Sequence, residues 1–99
     1  MLFEVDDFAA HKSNTLQGFF TVYFPECGIS ISGFSLHESE TGARWTEFPS
    51  KPDKNGKYEK VINSYNTRQA KKFKEQLLKA LDEHLKNQAQ KNSDPESEI

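Results

Sequence analysis

The chain of 99 residues predicts an α+β fold, a small antiparallel sheet of three to five strands packed by one long C-terminal α-helix. Three observations carry that expectation. Between residues 16 and 62, short runs alternate apolar and polar positions, the period of a strand. Gly, Pro or Asn punctuates those runs. From residue 67 the apolar spacing changes to that of a helix and stays there for about twenty residues.

Leu2 to Phe8 can form a short first strand, and Lys12-Ser13-Asn14 reads as a turn. Leu16 to Phe24 is a second strand with aromatics on both faces: Phe20, Val22 and Phe24 alternate with Phe19, Thr21 and Tyr23. Pro25-Glu26-Cys27-Gly28 turns the chain into Ile29 to His37, where the apolar phase slips by one residue at Gly33. A β-bulge produces such a slip, because an extra residue flips every side chain that follows. Glu38 to Gly42 is a loop, and Ala43 to Phe48 is a further strand in which Trp45 and Phe48 have opposite phase. Pro49 cannot donate to a ladder, so the strand should end there. Lys51-Pro52-Asp53-Lys54-Asn55-Gly56-Lys57 predicts a hairpin reversal, with Tyr58 to Ile62 returning. Asn66 is the expected N-cap, with Gln69 as its capping-box partner, of a helix from about Thr67 to Asn87. Ala70, Phe73, Leu77, Leu78, Leu81 and Leu85 form its apolar stripe. Residues 1–90 are expected to make one domain and residues 91–99 a disordered acidic tail.

Net charge is −2, yet its distribution is uneven. Met1 to Glu40 carries −5, Thr41 to Lys91 carries +6 and the last eight residues carry −3. Such segregation suggests a polyanion-binding face inside a neutral average, against the plainer reading of a solvated helix. No apolar run approaches the length of a membrane helix, and MLFEVDDF is acidic where a secretory signal would be basic. A cytoplasmic protein is therefore expected.

Catalytic chemistry finds little support. There is no phosphate-binding glycine loop, nucleophile elbow or Cys-x-x-Cys. His11, His37 and His84 are scattered without metal-ligand spacing, and Cys27 is a single turn thiol beside an acid. The expectation is a protein that is not an enzyme and holds neither cofactor nor metal.

Binding finds more. Lys51, Lys54, Lys57 and Lys60 recur every three residues across the hairpin, with Arg44 preceding them on the strand expected to partner it. Lysines at a hairpin tip can follow a phosphate backbone, each neutralised phosphate releasing counterions. Arg68, Lys71 and Lys72 open the helix, where backbone N–H groups also favour anions. Trp45, Tyr58 and Tyr65 interleave with that charge and could stack unpaired bases.

The segment WTEFPSKPDKNGKYEK, residues 45–60, resembles the hairpin of the bacterial septation protein SpoVG family. Phe48-Pro49-Ser50-Lys51 and Asn55-Gly56-Lys57-Tyr58 carry the likeness, and Asn63-Ser64 and Thr67-Arg68 are similar to the family's approach to its helix. The likeness covers roughly residues 1–87, with only the Pro-Ser-Lys hairpin specific. It implies a homodimer and a DNA- or RNA-binding regulator, with basic positions carried onto Lys51, Lys54, Lys57 and Arg68. The first strand departs from the family, being acidic (VDDFAAHK) where the family carries arginines. Lacking Arg in the turn, the hairpin should position itself on phosphates more than choose bases.

The leading expectation is thus a homodimeric, regulatory nucleic-acid-binding protein. A second reading is a single-stranded DNA-binding protein of a phage or mobile element, whose acidic tail, residues 92–99, recruits a protein partner. A third is a protein-interaction module whose lysines only solubilise it.

Overall fold

The structure is a computed structural model that describes residues 2–93, and side chains as far as Gln88. Six strands and one helix follow one another: β1 Glu4–Ser13, β2 Leu16–Phe24, β3 Ile29–Glu38, β4 Arg44–Glu47, β5 Ser50–Pro52, β6 Tyr58–Lys60 and α1 Thr67–Ser93. β1 to β4 form an antiparallel meander in the order β1-β2-β3-β4, and β5 and β6 make a separate hairpin. The fold is α+β, with the C-terminal helix covering one face of the meander.

The packed face follows from strand alternation. Phe20 and Val22 of β2, with Phe34 and Leu36 of β3, meet Leu77 and Leu81 of α1 in a fully enclosed cluster. Phe73, Leu78 and Leu85, from the helical stripe, pack around it with Phe24, Ile31 and Phe48. Thr46 of β4 is buried, and its hydroxyl donates to the Lys74 carbonyl at 3.0 Å, tying the edge strand to the helix. Opposite phase separates Trp45, which faces away from the helix side, from Phe48, which joins the core.

The slip at Gly33 is a bulge. Phe20 pairs with Phe34 but Val22 pairs with Ile31, so an extra β3 residue fits between, and Gly33 takes φ 91°. Asn66 caps the helix, its Oδ1 accepting from the Gln69 N–H at 3.1 Å.

Five expectations need correction. The first strand starts and ends later than Leu2–Phe8, and Lys12 and Ser13 belong to it. The turn is only Asn14-Thr15, with Asn14 at φ 56°. Register shifts at Asp6/Ala9 and Ala10/Ser13 break the alternation that would have marked so long a strand. The returning strand of the hairpin stops at Lys60 rather than Ile62. Arg44 is not on the strand that partners the hairpin, because β4 pairs with β3 and β5 pairs with β6. The helix continues past Asn87 to Ser93, so residues 91–93, expected in the tail, are helical. The remainder of that tail, residues 94–99, lies outside the described residues.

Candidate nucleic-acid interface

The hairpin is built by its turn. The Asp53 carboxylate accepts from the backbone N–H groups of Asn55 at 2.8 Å and Lys57 at 2.9 Å, and Gly56 supplies φ 82°. Asp53 is thereby committed to the turn, an Asx arrangement that fixes the tip carrying Lys54 and Lys57. Ser50 pairs with Lys60, Lys51 with Glu59 and Pro52 with Tyr58. Strand alternation then puts Ser50, Pro52, Tyr58 and Lys60 on one face, and Lys51 and Glu59 on the other.

The first of these faces looks into an open groove against the helix-free side of the meander. Phe19, His37, Glu47, Ser50, Tyr58 and Lys60 line it. Lys60 holds the hairpin there: its Nζ donates to Glu47 Oε2 at 2.9 Å and lies 3.4 Å from the Phe48 carbonyl. Glu47 Oε1 receives Lys74 Nζ from the helix at 3.4 Å, and Lys74 also sits 5.3 Å from the Phe48 ring centroid. One carboxylate therefore joins hairpin, edge strand and helix. Partial burial pushes the Glu47 carboxyl up, but hydrogen bonding and charge from Lys60, then Lys74, outweigh it and hold the pKa below its ordinary value.

His37, on the groove floor, stacks on its cross-strand partner Trp45 just outside it, the rings 5.4 Å apart with 9° between planes. Both imidazole nitrogens are engaged, Nδ1 with Thr15 Oγ1 at 3.0 Å and Nε2 with Ser35 Oγ at 2.9 Å. Partial burial, opposed by Glu47 and aided by Lys60, lowers the His37 pKa and so favours the uncharged ring. The stack is held in plane from both sides. Phe19 stays 41% exposed and His11 lies against it at 6.1 Å.

A second open cleft runs between β4 and the start of α1, where Arg44, Trp45, Glu47, Lys71 and Lys74 are among the lining residues. It meets the first groove at the edge strand, since Glu47 lines both and Trp45 stacks on His37. At the far end of the meander the charge is opposite: the Tyr23 hydroxyl donates to Asp7, and that hydrogen bond raises its pKa.

The structure does not gather the sequence-predicted residues onto one surface. Tyr58 and Lys60 line the groove, Trp45 lies next to it on His37 and lines the β4–α1 cleft, and Lys54 and Lys57 stand at the hairpin tip. Lys51 faces the other way, opposite Glu59. Lys71 lines the cleft with Arg44, but Arg44 is occupied by Asp82 at 2.7 Å and Glu38 at 3.5 Å. Arg68 and Lys72 are exposed on the back of α1, about half a turn from buried Leu77 and Leu81. Tyr65 is 99% exposed in the segment before the helix and lies along a different, apolar cleft with Phe24, Ile62 and Phe73. Sequence reasoning missed Phe19, His37, His11 and Lys74. Alternation within β2 already put Phe19 on the face opposite Phe20, the one signal that could have found it.

Among the described residues no group of acids, His or Cys could hold a metal ion, and no helix is long and apolar enough to cross a membrane. Comparison of the chain with protein-family models, curated proteins and solved structures found no match.

Proposed function

We propose that this protein binds nucleic acid, as a non-enzymatic regulator acting as a homodimer, through its lysine-bearing hairpin and the cleft-facing part of its helix start. The observation that carries the reading is the hairpin itself. It forms a sheet separate from the meander, presents Lys54 and Lys57 at an exposed tip, and is anchored by Lys60 on Glu47 beside the aromatic floor of the groove. Its two acids are opposed: Asp53 caps the turn and Glu59 faces away from the groove. A polyanion meeting this wall finds cations without competing carboxylates, apart from Glu47, which Lys60 and Lys74 already neutralise. The likeness of Phe48-Pro49-Ser50-Lys51 to the SpoVG hairpin supports the same reading and the regulatory, cytoplasmic role that goes with it.

A gel shift at two salt concentrations tests this. Binding should weaken steeply with salt, because each phosphate contact releases counterions. Charge reversal of Lys51, Lys54 and Lys57 together should weaken it at least tenfold at low salt. Retention of wild-type affinity by that variant, or binding indifferent to salt, leaves the lysines as solubilising residues of a protein-interaction module.

A further inference from the structure

The helix covers one face of the four-stranded meander, and the hairpin walls only part of the other. The helix takes the side of Phe20 and Phe34, while the opposite side keeps a row of rings that no core residue overlies. His11 of β1 rests on Phe19 of β2, and His37 of β3 stacks on Trp45 of β4. Every strand of the meander therefore contributes one ring, and the row crosses the strands rather than following them. Adjacent strands lie about 4.8 Å apart, so four strands span about 14 Å.

These rings are not residual core. Phe19 is 41% exposed and Trp45 36%, while the ring they would need for burial, from the helix, is on the other face. Holding the His37–Trp45 pair flat uses two hydroxyls, Thr15 and Ser35. A platform fixed in advance loses little side-chain freedom when a flat ligand lands on it. Beside the rings lies the exposed Ser32 hydroxyl, which accepts from the buried Thr21 hydroxyl at 3.5 Å. A ring row bordered by hydroxyls on one side and lysines on the other suits a chain of alternating flat bases and phosphates. It suits an apolar protein surface less well.

We propose that the nucleic acid taken by this protein is a single strand, DNA or RNA, whose unpaired bases stack along His11, Phe19, the His37–Trp45 pair and Tyr58 while Lys54 and Lys57 at the hairpin tip hold its phosphates. The inference rests on the nucleic-acid reading above and deepens it. A duplex keeps its base faces stacked on one another and offers the rings nothing, whereas every unpaired base has a free face. Tyr58, 75% exposed on the hairpin wall, lies across the groove from this row and can close on a base from the other side.

The chain has a single tryptophan, Trp45, so the platform reports on itself. Fluorescence of the full chain is followed while an unlabelled oligothymidylate, the matching oligouridylate, or a duplex of equal phosphate number is added at one salt concentration. Either single strand should quench Trp45 and bind at least tenfold tighter than the duplex. Phe19→Ala should cost the single strand roughly tenfold in affinity and leave duplex binding unchanged. Phe19→Leu, which keeps apolar volume without an aromatic face, should behave like Phe19→Ala and confirm that the loss is not of folding. Duplex binding equal to or tighter than single-strand binding, with unquenched Trp45, overturns this inference while leaving the nucleic-acid reading intact. Absence of binding to all three ligands removes both. A change of mass in solution on Phe19→Ala would also overturn it, marking the ring row as the contact between two copies.

Discussion

Gly18 shows how tightly single positions of β2 are set. A Cβ built there would come within 2.5 Å of the Phe8 ring and 2.6 Å of the Ala9 carbonyl oxygen. The ring could swing, but the carbonyl belongs to the paired backbone of β1 and cannot. Gly18→Ala is therefore expected to cost about 1–3 kcal/mol, the usual range for overpacking. Urea unfolding of the two proteins measures it, and unchanged stability would mean the β1–β2 pairing relaxes more freely than its register suggests. Gly33 differs: a Cβ there meets only Pro49 at 3.5 Å, so its constraint is the φ of 91° rather than space.

At the scale of elements, much was legible. The phase slip in ISISGFSLH marked the bulge, Asn66 marked the helix start, and the stripe from Ala70 to Leu85 marked the buried side of α1. Local pattern sufficed because each depends on neighbours in sequence. β1 was mostly hidden, since two register shifts and a polar composition break its alternation on an exposed edge. Which way the hairpin faces was hidden too. That depends on Lys60 meeting Glu47, and on Lys74 arriving from a helix 27 residues further along. The depressed pKa of Glu47 gives this clasp a pH signature. Ionised in the fold more readily than in the unfolded chain, Glu47 adds stability that is complete above its ordinary value near 4.5 and disappears as pH falls through the lower folded value. Glu47→Gln should flatten the acid limb of the stability curve and raise hydrogen exchange in β5 and β6, with the meander protected as before. Exchange unchanged in the hairpin would show that other contacts hold it.

For the whole molecule, direction of charge matters more than its sum. The cations of residues 44–72 point five ways: into the groove, from the hairpin tip, off the hairpin's other face, into the β4–α1 cleft and off the back of the helix. One strand lying in the groove can touch the first two sets and cannot reach the last. Two double charge reversals separate these directions at equal net charge, Lys54→Glu with Lys57→Glu at the tip and Arg68→Glu with Lys72→Glu on the helix back. Each takes the formal charge from −2 to −6, so their long-range repulsion of a polyanion is alike. Any difference between them is local. For a single strand the logarithm of the binding constant falls with the logarithm of salt at about 0.7 per phosphate contact, so losing both tip contacts should flatten the slope by about 1.4. The helix-back variant should bind more weakly through its added negative charge yet keep the wild-type slope. Equal flattening in both would mean that a second copy, or a longer path of the strand, brings the back of α1 to the same nucleic acid. Titrations at three salt concentrations are enough to tell these apart.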